Sequence, residues 1–222
     1  LVGRSSEKLR ELQEDLGGDG STAHIIDGVD FSSPKDAGKK LSAELKGEKL
    51  SGLAYAVGSI TIKPIRASKP EEFVSAYNLN VVGAAECVKA SLGGLKKGSS
   101  KEFPASVVMF SSVAARSGLA NHAVISSTKA AVEGLTVALA AELSPSFIRV
   151  NCVAPSLTRS EMARSMTDNP KIADAIASAH PLSRLGDPDD SASAAAYLLS
   201  SQSSWTTGVI LPVDGGRSVV LK

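Results

Sequence analysis

Residues Ala105 to Ser111 read ASVVMFS, an apolar run with no polar face. A strand of that kind must be covered on both sides, which happens when helices lie on both faces of a parallel sheet. Leu50 to Val57, Ile148 to Val153 and Val209 to Val213 repeat the pattern, each separated from the next by helical periodicity. The alternation predicts an α/β fold, a doubly wound parallel sheet in which these four segments are adjacent buried strands. At 222 residues the chain suits one domain, and no linker, repeat or low-complexity tract divides it.

The helices carry their own signals. Ser5 or Ser6 caps a first helix with Leu9, Leu12 and Leu16 on one side, closed by Gly17-Gly18, and Ala23 to Ile26 follows as a short apolar strand. Ser33-Pro34 opens a second helix. Ser68 with Glu71 has the capping-box spacing and starts a long helix toward Leu92, on which Tyr77 is expected to face the core. Ala123 to Leu143, Pro170 to Ala179 and Asp189 to Leu199 complete the set. Leu1-Val2-Gly3-Arg4 reads as the tail of an apolar strand already in progress, so a segment of roughly 25 to 35 residues, a β-α unit plus the start of this strand, is expected upstream.

Lys plus Arg number 24 against 23 Asp plus Glu, scattered along the chain, so neither nucleic acid nor an anionic membrane is an expected partner. Cys87 and Cys152 stand far apart without a CxxC or neighbouring histidines. A disulfide framework and a metal site are therefore not expected, and a reducing compartment, cytoplasm or organellar matrix, fits best. No secretory signal and no membrane span is read from the apolar pattern.

Ligands of doubly wound sheets sit beyond the carboxyl ends of the strands. Those ends read LVGRS, VDF, AYAVGS, FSSVAA, VNCVAPS and LPVDGG. With the helix segments YNLNVVGA and ISSTKAAVEGLTVALAAEL, they resemble the short-chain dehydrogenase/reductase family along essentially the whole chain. The resemblance implies a Rossmann-type fold, a bound NAD or NADP, and hydride transfer to or from a small carbonyl or alcohol. It also implies that Asn80, Ser112 and Lys129 occupy catalytic positions and converge on one cleft.

Three departures accompany it. Ile125 stands four residues before Lys129, where the family has its proton-donating tyrosine. Isoleucine cannot donate, and general acid catalysis is worth about 10² to 10⁴ in rate. His122 is one substitute, though its plain reading is a surface or helix-capping residue. Tyr55 and Tyr77 are the alternative phenols, with a packing role favoured for each. Next, Tyr55-Ala56-Val57-Gly58 replaces the usual Asn-Asn-Ala-Gly, leaving the backbone of Ala56, Val57 and Gly58 to meet the cofactor ribose. Last, no TGxxxGxG loop occurs, so the usual glycine cradle for the pyrophosphate is not read here.

NAD enzymes of this class place an acidic residue on the ribose 2′-hydroxyl, whereas Arg4 and Ser5 stand at the corresponding strand end. A guanidinium fork beside a hydroxyl suits a 2′-phosphate, so NADP(H) is the expected cofactor. The resemblance further implies adenine contact by Asp30-Phe31, and nicotinamide contact by Pro155-Ser156, Leu157 and Ser160. It implies a homodimer or homotetramer joined through Ala130, Gly134, Ala138 and Ala141, with the alternative that these small residues let the helix approach its own sheet. Two functions stay open: an NADP(H)-dependent oxidoreductase with an atypical site, or an inactive pseudoenzyme serving as a structural or regulatory subunit.

Overall fold

In the computed structural model, which describes residues 1–16 and 24–220, a four-stranded sheet forms the centre. Its strands are β1 (Gly52–Tyr55), β2 (Ala105–Phe110), β3 (Ile148–Pro155) and β4 (Ile210–Val213), in the spatial order β1-β2-β3-β4. Every pair is parallel, with Val107 opposite Leu53 and Val150 opposite Val107. The four apolar runs are thus adjacent strands, as expected, although β1 is shorter than Leu50–Val57 and only the central β2 and β3 are buried throughout their interiors, Ala54 of β1 and Pro212 of β4 being exposed at the outer strands. The N-terminal pairing is a single parallel bridge between Val2 and Ile26 rather than a strand from Ala23, which lies outside the described residues together with Gly17 and Gly18.

The helices are α1 (Ser6–Asp15), α2 (Pro34–Glu44), α3 (Pro70–Tyr77), α4 (Gly83–Gly98), α5 (Ala123–Leu143), α6 (Arg164–Thr167), α7 (Pro170–Ser178) and α8 (Pro188–Leu199). The sheet divides the core by residue parity. Val107, Met109, Val150 and Cys152 point to one side, with Leu41 of α2, Leu95 of α4 and Val132 of α5. Val108 and Val153 point to the other, against Ala195 and Leu198 of α8. A strand interior apolar on both faces therefore has helices on both faces, which is the doubly wound arrangement. Helix α5, with its extension to Ser146, has the length and apolarity of a membrane span by composition alone, although it packs along β3.

The capping and periodicity readings of the long helix need correction. Its start lies one residue later than Ser68: the Glu72 carboxylate accepts from the Lys69 N–H at 2.8 Å, while Ser68 Oγ donates to Pro64 O at 3.3 Å. Lys69 is the better cap position because Pro70 then falls on the first turn, where its missing N–H is harmless. Nor is the helix continuous, since a π-turn at Asn78–Val82 joins α3 to α4. There Gly83 N–H reaches back five residues to Asn78 O. Tyr77 just before it is 47% exposed, not core, because the short α3 turns its face outward ahead of the change in register.

Candidate active site

The π-turn has a side chain fixing it from below. Tyr55, the last residue of β1, is buried and donates its hydroxyl to Leu79 O at 2.7 Å. Room for that hydroxyl exists because residue 83 is glycine: a Cβ there would collide with the Tyr55 oxygen. Phe31 closes the other side, its ring edge-on to Tyr55 with centroids 5.3 Å apart. Burial, with the Cys87 thiol beside it, pushes the Tyr55 phenol well above its ordinary range. Tyr55 and Phe31 are therefore core residues, and Tyr55 cannot serve as a proton donor to a bound substrate.

A π-turn commonly marks a functional position, because it re-aims one side chain of an otherwise regular helix. Here that side chain is Asn80, which is buried, and whose amide donates to Ala76 O at 2.9 Å and to Ser59 Oγ at 3.2 Å. Its carbonyl oxygen, Oδ1, is buried with no partner. A Cβ built on Gly58 would stand 2.9 Å from that oxygen and 3.3 Å from Lys129 Nζ. The glycine of the β1 loop thus sits beside both groups, and the exposed Ala56 and Val57 precede it.

Lys129 projects from α5 to the end of β2, where Nζ donates to Phe110 O at 2.9 Å. Burial pulls its ammonium down to about 8, with Cys152 opposing. On the same strand end, Ser111 Oγ donates to Lys129 O at 3.1 Å and to Glu133 Oε1 at 2.9 Å. Ser112 follows directly, as the cap of a short turn, Val113–Ala115, and accepts from Ala114 N at 3.2 Å. The structure thus brings Gly58, Asn80 and Lys129 together with the backbone that carries Ser112. Ile125 lies one turn before Lys129 on α5 and is 4% exposed. His122 caps α5 and its Nδ1 lies 2.6 Å from Ala120 O. It lines a cleft of about 790 Å³ with Arg66, Ala114, Arg116 and Ser126; Asn80, Ser112, Ile125 and Lys129 are not among the residues that line it.

The other expected contacts are spread along the same edge of the fold. Ser5 Oγ caps α1 by accepting from Lys8 N at 3.3 Å, so its hydroxyl is committed to the helix. The exposed Arg4 lies 3.9 Å from Asp30, whose carboxyl is held below the usual carboxylate range, chiefly by the Ser32 N–H. At the end of β3, Pro155 is followed by Ser156, half-buried against a 2%-exposed His180. His180 Nδ1 faces Ile176 O at 2.7 Å and carries a proton toward it, and Nε2 pairs with Ser156 Oγ at 2.8 Å. Leu157 is tied to the next segment through Gly186 N–H at 3.0 Å, and Ser160 is exposed.

Sequence reasoning missed Glu133. It lies four residues after Lys129, hence on the same face of α5, and that spacing was the available signal. Its carboxylate joins Ser111 to Arg116 Nε at 2.6 Å, tying the Ser112 turn to the helix that bears Lys129. Glu133→Ala should cost about 1 to 3 kcal/mol in urea unfolding, because the Ser111 hydroxyl and Arg116 lose their acceptor. Glu133→Gln, which still accepts, should cost less. Equal stability of the parent and the alanine variant would remove the tether from the account.

A family model described as enoyl-(acyl carrier protein) reductase matches residues 2–218. L-xylulose reductase of Mesocricetus auratus is 34% identical over 70% of this chain, a match spanning 62% of that enzyme's length. Among solved structures, a short-chain type dehydrogenase/reductase from Mycobacterium ulcerans superposes with a TM-score of 0.87 at 29% identity, covering 98% of this chain and 79% of that one. The Pseudomonas aeruginosa RhlG/NADP active-site complex gives 0.90 at 26%, covering 98% and 85%. A parallel sheet with helices on both faces, strand ends of the expected sequence and matches along nearly the whole chain have one reading: the chain belongs to the short-chain dehydrogenase/reductase family.

Proposed function

We propose that this chain is an NADP(H)-dependent oxidoreductase acting on a small carbonyl or alcohol at an atypical site. One observation carries the reading: Asn80 Oδ1, buried and without a partner among the described residues, and Lys129 Nζ, bonded to Phe110 O, both lie against Gly58 at the carboxyl end of the sheet. A bound ribose or water would satisfy that oxygen, which otherwise stays buried at a cost of about 1 to 3 kcal/mol. The fit extends to Arg4, whose exposed guanidinium offers a fork for a 2′-phosphate. That the RhlG complex holds NADP supports the same assignment.

The nicotinamide, when bound, supplies or accepts the hydride. Lys129 would hold the ribose hydroxyls. Ser112 would donate its hydroxyl to the carbonyl oxygen, and Asn80 would hold a water through Oδ1. The cleft lined by Ala114, Arg116 and His122, two residues beyond Ser112, would take the remainder of a small substrate. Ala130, Gly134, Ala138 and Ala141 are exposed along α5 next to the 54%-exposed Val137, which favours self-association over the packing alternative.

A second reading, a catalytically inactive structural or regulatory subunit, is favoured by Ile125 at the proton donor's position and by the locked Tyr55. Fluorescence titration of the full chain with NADPH and NADH, followed by turnover on a panel of small ketones, separates the two. The oxidoreductase reading expects tighter binding of NADPH and slow but measurable turnover, with Arg4→Ala eroding the NADPH preference about tenfold, the value of one charge-assisted hydrogen bond. Binding without turnover would favour the second reading, and an NADH preference would reject NADP(H).

A further inference from the structure

We propose that Ser156 and His180 form a second reactive centre, in which the serine hydroxyl takes up and releases short, uncharged acyl groups from activated esters. This goes beyond the reading above and needs no nucleotide. Ser156 directly follows Pro155, the last residue of β3, so it stands beyond the carboxyl end of a buried parallel strand, where ligands of such sheets sit. Its Oγ lies 2.8 Å from His180 Nε2, and Nδ1 of the same ring lies 2.7 Å from Ile176 O. A carbonyl oxygen only accepts, so Nδ1 carries a proton, and in the neutral ring Nε2 keeps a lone pair facing the serine. A nucleophile, a base within reach of it and a third group that orients the base are the parts of an activated serine.

The pair is fixed from both sides. Ser156 N–H donates to Val213 O at 3.2 Å, and Thr158 Oγ1 donates to Ser156 O at 3.1 Å. His180 N–H donates to Ala177 O at 3.0 Å, and Leu182 N–H donates to Gly215 O at 3.2 Å, which fastens the histidine segment over the end of β4.

Access is given by a cleft of about 340 Å³ lined by both Ser156 and His180, together with Leu182, Val213 and Gly215. Gly215 has a positive φ, and a Cβ built on it would stand 3.8 Å from His180 Cδ2, the ring carbon bonded to Nε2. Its N–H meets no acceptor among the described residues and is the donor available to an oxyanion formed at Ser156. Charge on the wall is already matched. Arg184 donates to both oxygens of Asp190 at 2.6 and 2.8 Å, and Asp214 accepts from Gly216 N–H, Ser218 N–H and Ser218 Oγ. With Leu182, Pro212 and Val213 alongside, the space suits a short alkyl chain rather than an ion.

The chemistry balances without oxidant or reductant. As Ser156 Oγ attacks the acyl carbon, its proton passes to His180 Nε2 and the carbonyl π pair moves to oxygen. Collapse of the tetrahedral adduct breaks the bond to the leaving oxygen, which departs with the proton from Nε2. Water then adds to the acyl serine with Nε2 as its base, and the carboxylic acid is released with Ser156 restored.

The full chain, without nucleotide, is mixed with p-nitrophenyl acetate near neutral pH and quenched in acid at successive times, and acetylation of each serine is followed by peptide mass spectrometry. General base assistance is worth about 10² to 10⁴ in rate, so Ser156 should be acetylated at least about 10²-fold faster than the exposed Ser201 and Ser204. His180→Gln, with near-UV circular dichroism unchanged, should bring Ser156 down to the level of those serines, and Ser156→Ala should abolish the rapid first release of p-nitrophenol. Labelling of Ser156 no faster than that of Ser201 and Ser204 would overturn the proposal, and that comparison lies within the parent chain, whatever the variants do to folding. So would a rate indifferent to His180→Gln in a chain that keeps its circular dichroism. Because no nucleotide is present, failure here would leave the NADP(H) reading untouched, and failure to bind NADPH would not affect this result.

Discussion

Replacing Ile125 with tyrosine is expected to raise turnover of small ketones about 10²-fold, with Ile125→Phe giving no gain. Hydride delivery to a carbonyl leaves an alkoxide, and the rate depends on how soon that charge finds a proton. In the parent chain the hydroxyl assigned to the carbonyl is that of Ser112, whose Oγ already accepts from Ala114 N–H. A phenol at 125 would stand one turn from the Lys129 ammonium, which would lower its pKa and make it a donor near neutral pH. The phenylalanine variant carries the same ring without the proton, so it separates acid catalysis from reshaping of the cleft. Ile125 is buried, and a larger ring there carries an overpacking cost of about 1 to 3 kcal/mol, so the two aromatic variants should be equally destabilised. A parent that reduces ketones quickly and is slowed by Ile125→Tyr would sink this account. His122, capping α5 and lining the cleft, would then be the donor to test.

What the sequence made legible was whatever repeats. The four strands were readable because each is an apolar run, although only β2 and β3 are buried throughout, and α5 was readable from Ala123 to Leu143 because a capping position precedes a run free of proline. Asn80, Ser112 and Lys129 were found because they sit at fixed offsets within recognisable strand ends and helices. What stayed hidden depends on a single turn or a distant partner. The π-turn at Asn78–Val82 shifts the apolar stripe by one residue, about 100° of helix rotation, but the short α3 before it carries too few apolar residues for the break to be read. The bond between Ser156 and His180 joins residues from separate segments whose spacing announces nothing. Tyr55 could be judged a packing residue, but its partner, the space over Gly83, belongs to another element. The site is therefore legible as a set of residues, while the arrangement that sets Asn80 Oδ1 and Lys129 Nζ against Gly58 is a product of tertiary structure.

Arg149 shows the same limit most sharply, and its removal should produce the largest loss of stability. The segment IRVNCV reads as an apolar strand with one charge at its start, yet Arg149 is 5% exposed and no carboxylate among the described residues forms an ion pair with it. Its guanidinium donates to Leu198 O at 2.9 Å, Ser200 O at 3.0 Å, Ser203 Oγ at 2.9 Å and Thr206 O at 3.4 Å. Three of these acceptors are backbone carbonyls; Leu198 O and Ser200 O lie at the C-terminus of α8, where the helix dipole is negative, and Thr206 O lies in the loop that follows. Arg149→Met preserves the unbranched stem and removes the fork. Two effects then oppose one another: a buried charge is no longer desolvated, which is a gain, and the carbonyls lose their donor. Leu198 O would keep Ser106 Oγ at 2.7 Å and Ser203 Oγ at 2.9 Å, but Ser200 O would lose the guanidinium, and Thr206 O would keep only the Asn151 amide. Hydrogen bonds from charged donors are worth about 1.5 to 3 kcal/mol each, so losing two or more of them outweighs the relief, and a net cost of about 3 kcal/mol is expected in urea unfolding. Arg149→Lys should recover only part of it, because one ammonium cannot span acceptors that the planar fork reaches from two nitrogens. If the methionine variant unfolds at the same urea concentration as the parent, the carbonyls are satisfied by other means and Arg149 does not hold α8 to the sheet. If it is destabilised, amide exchange should quicken first at Ser200–Gly208, the segment gathered around the guanidinium, and only later in the β2–β3 core.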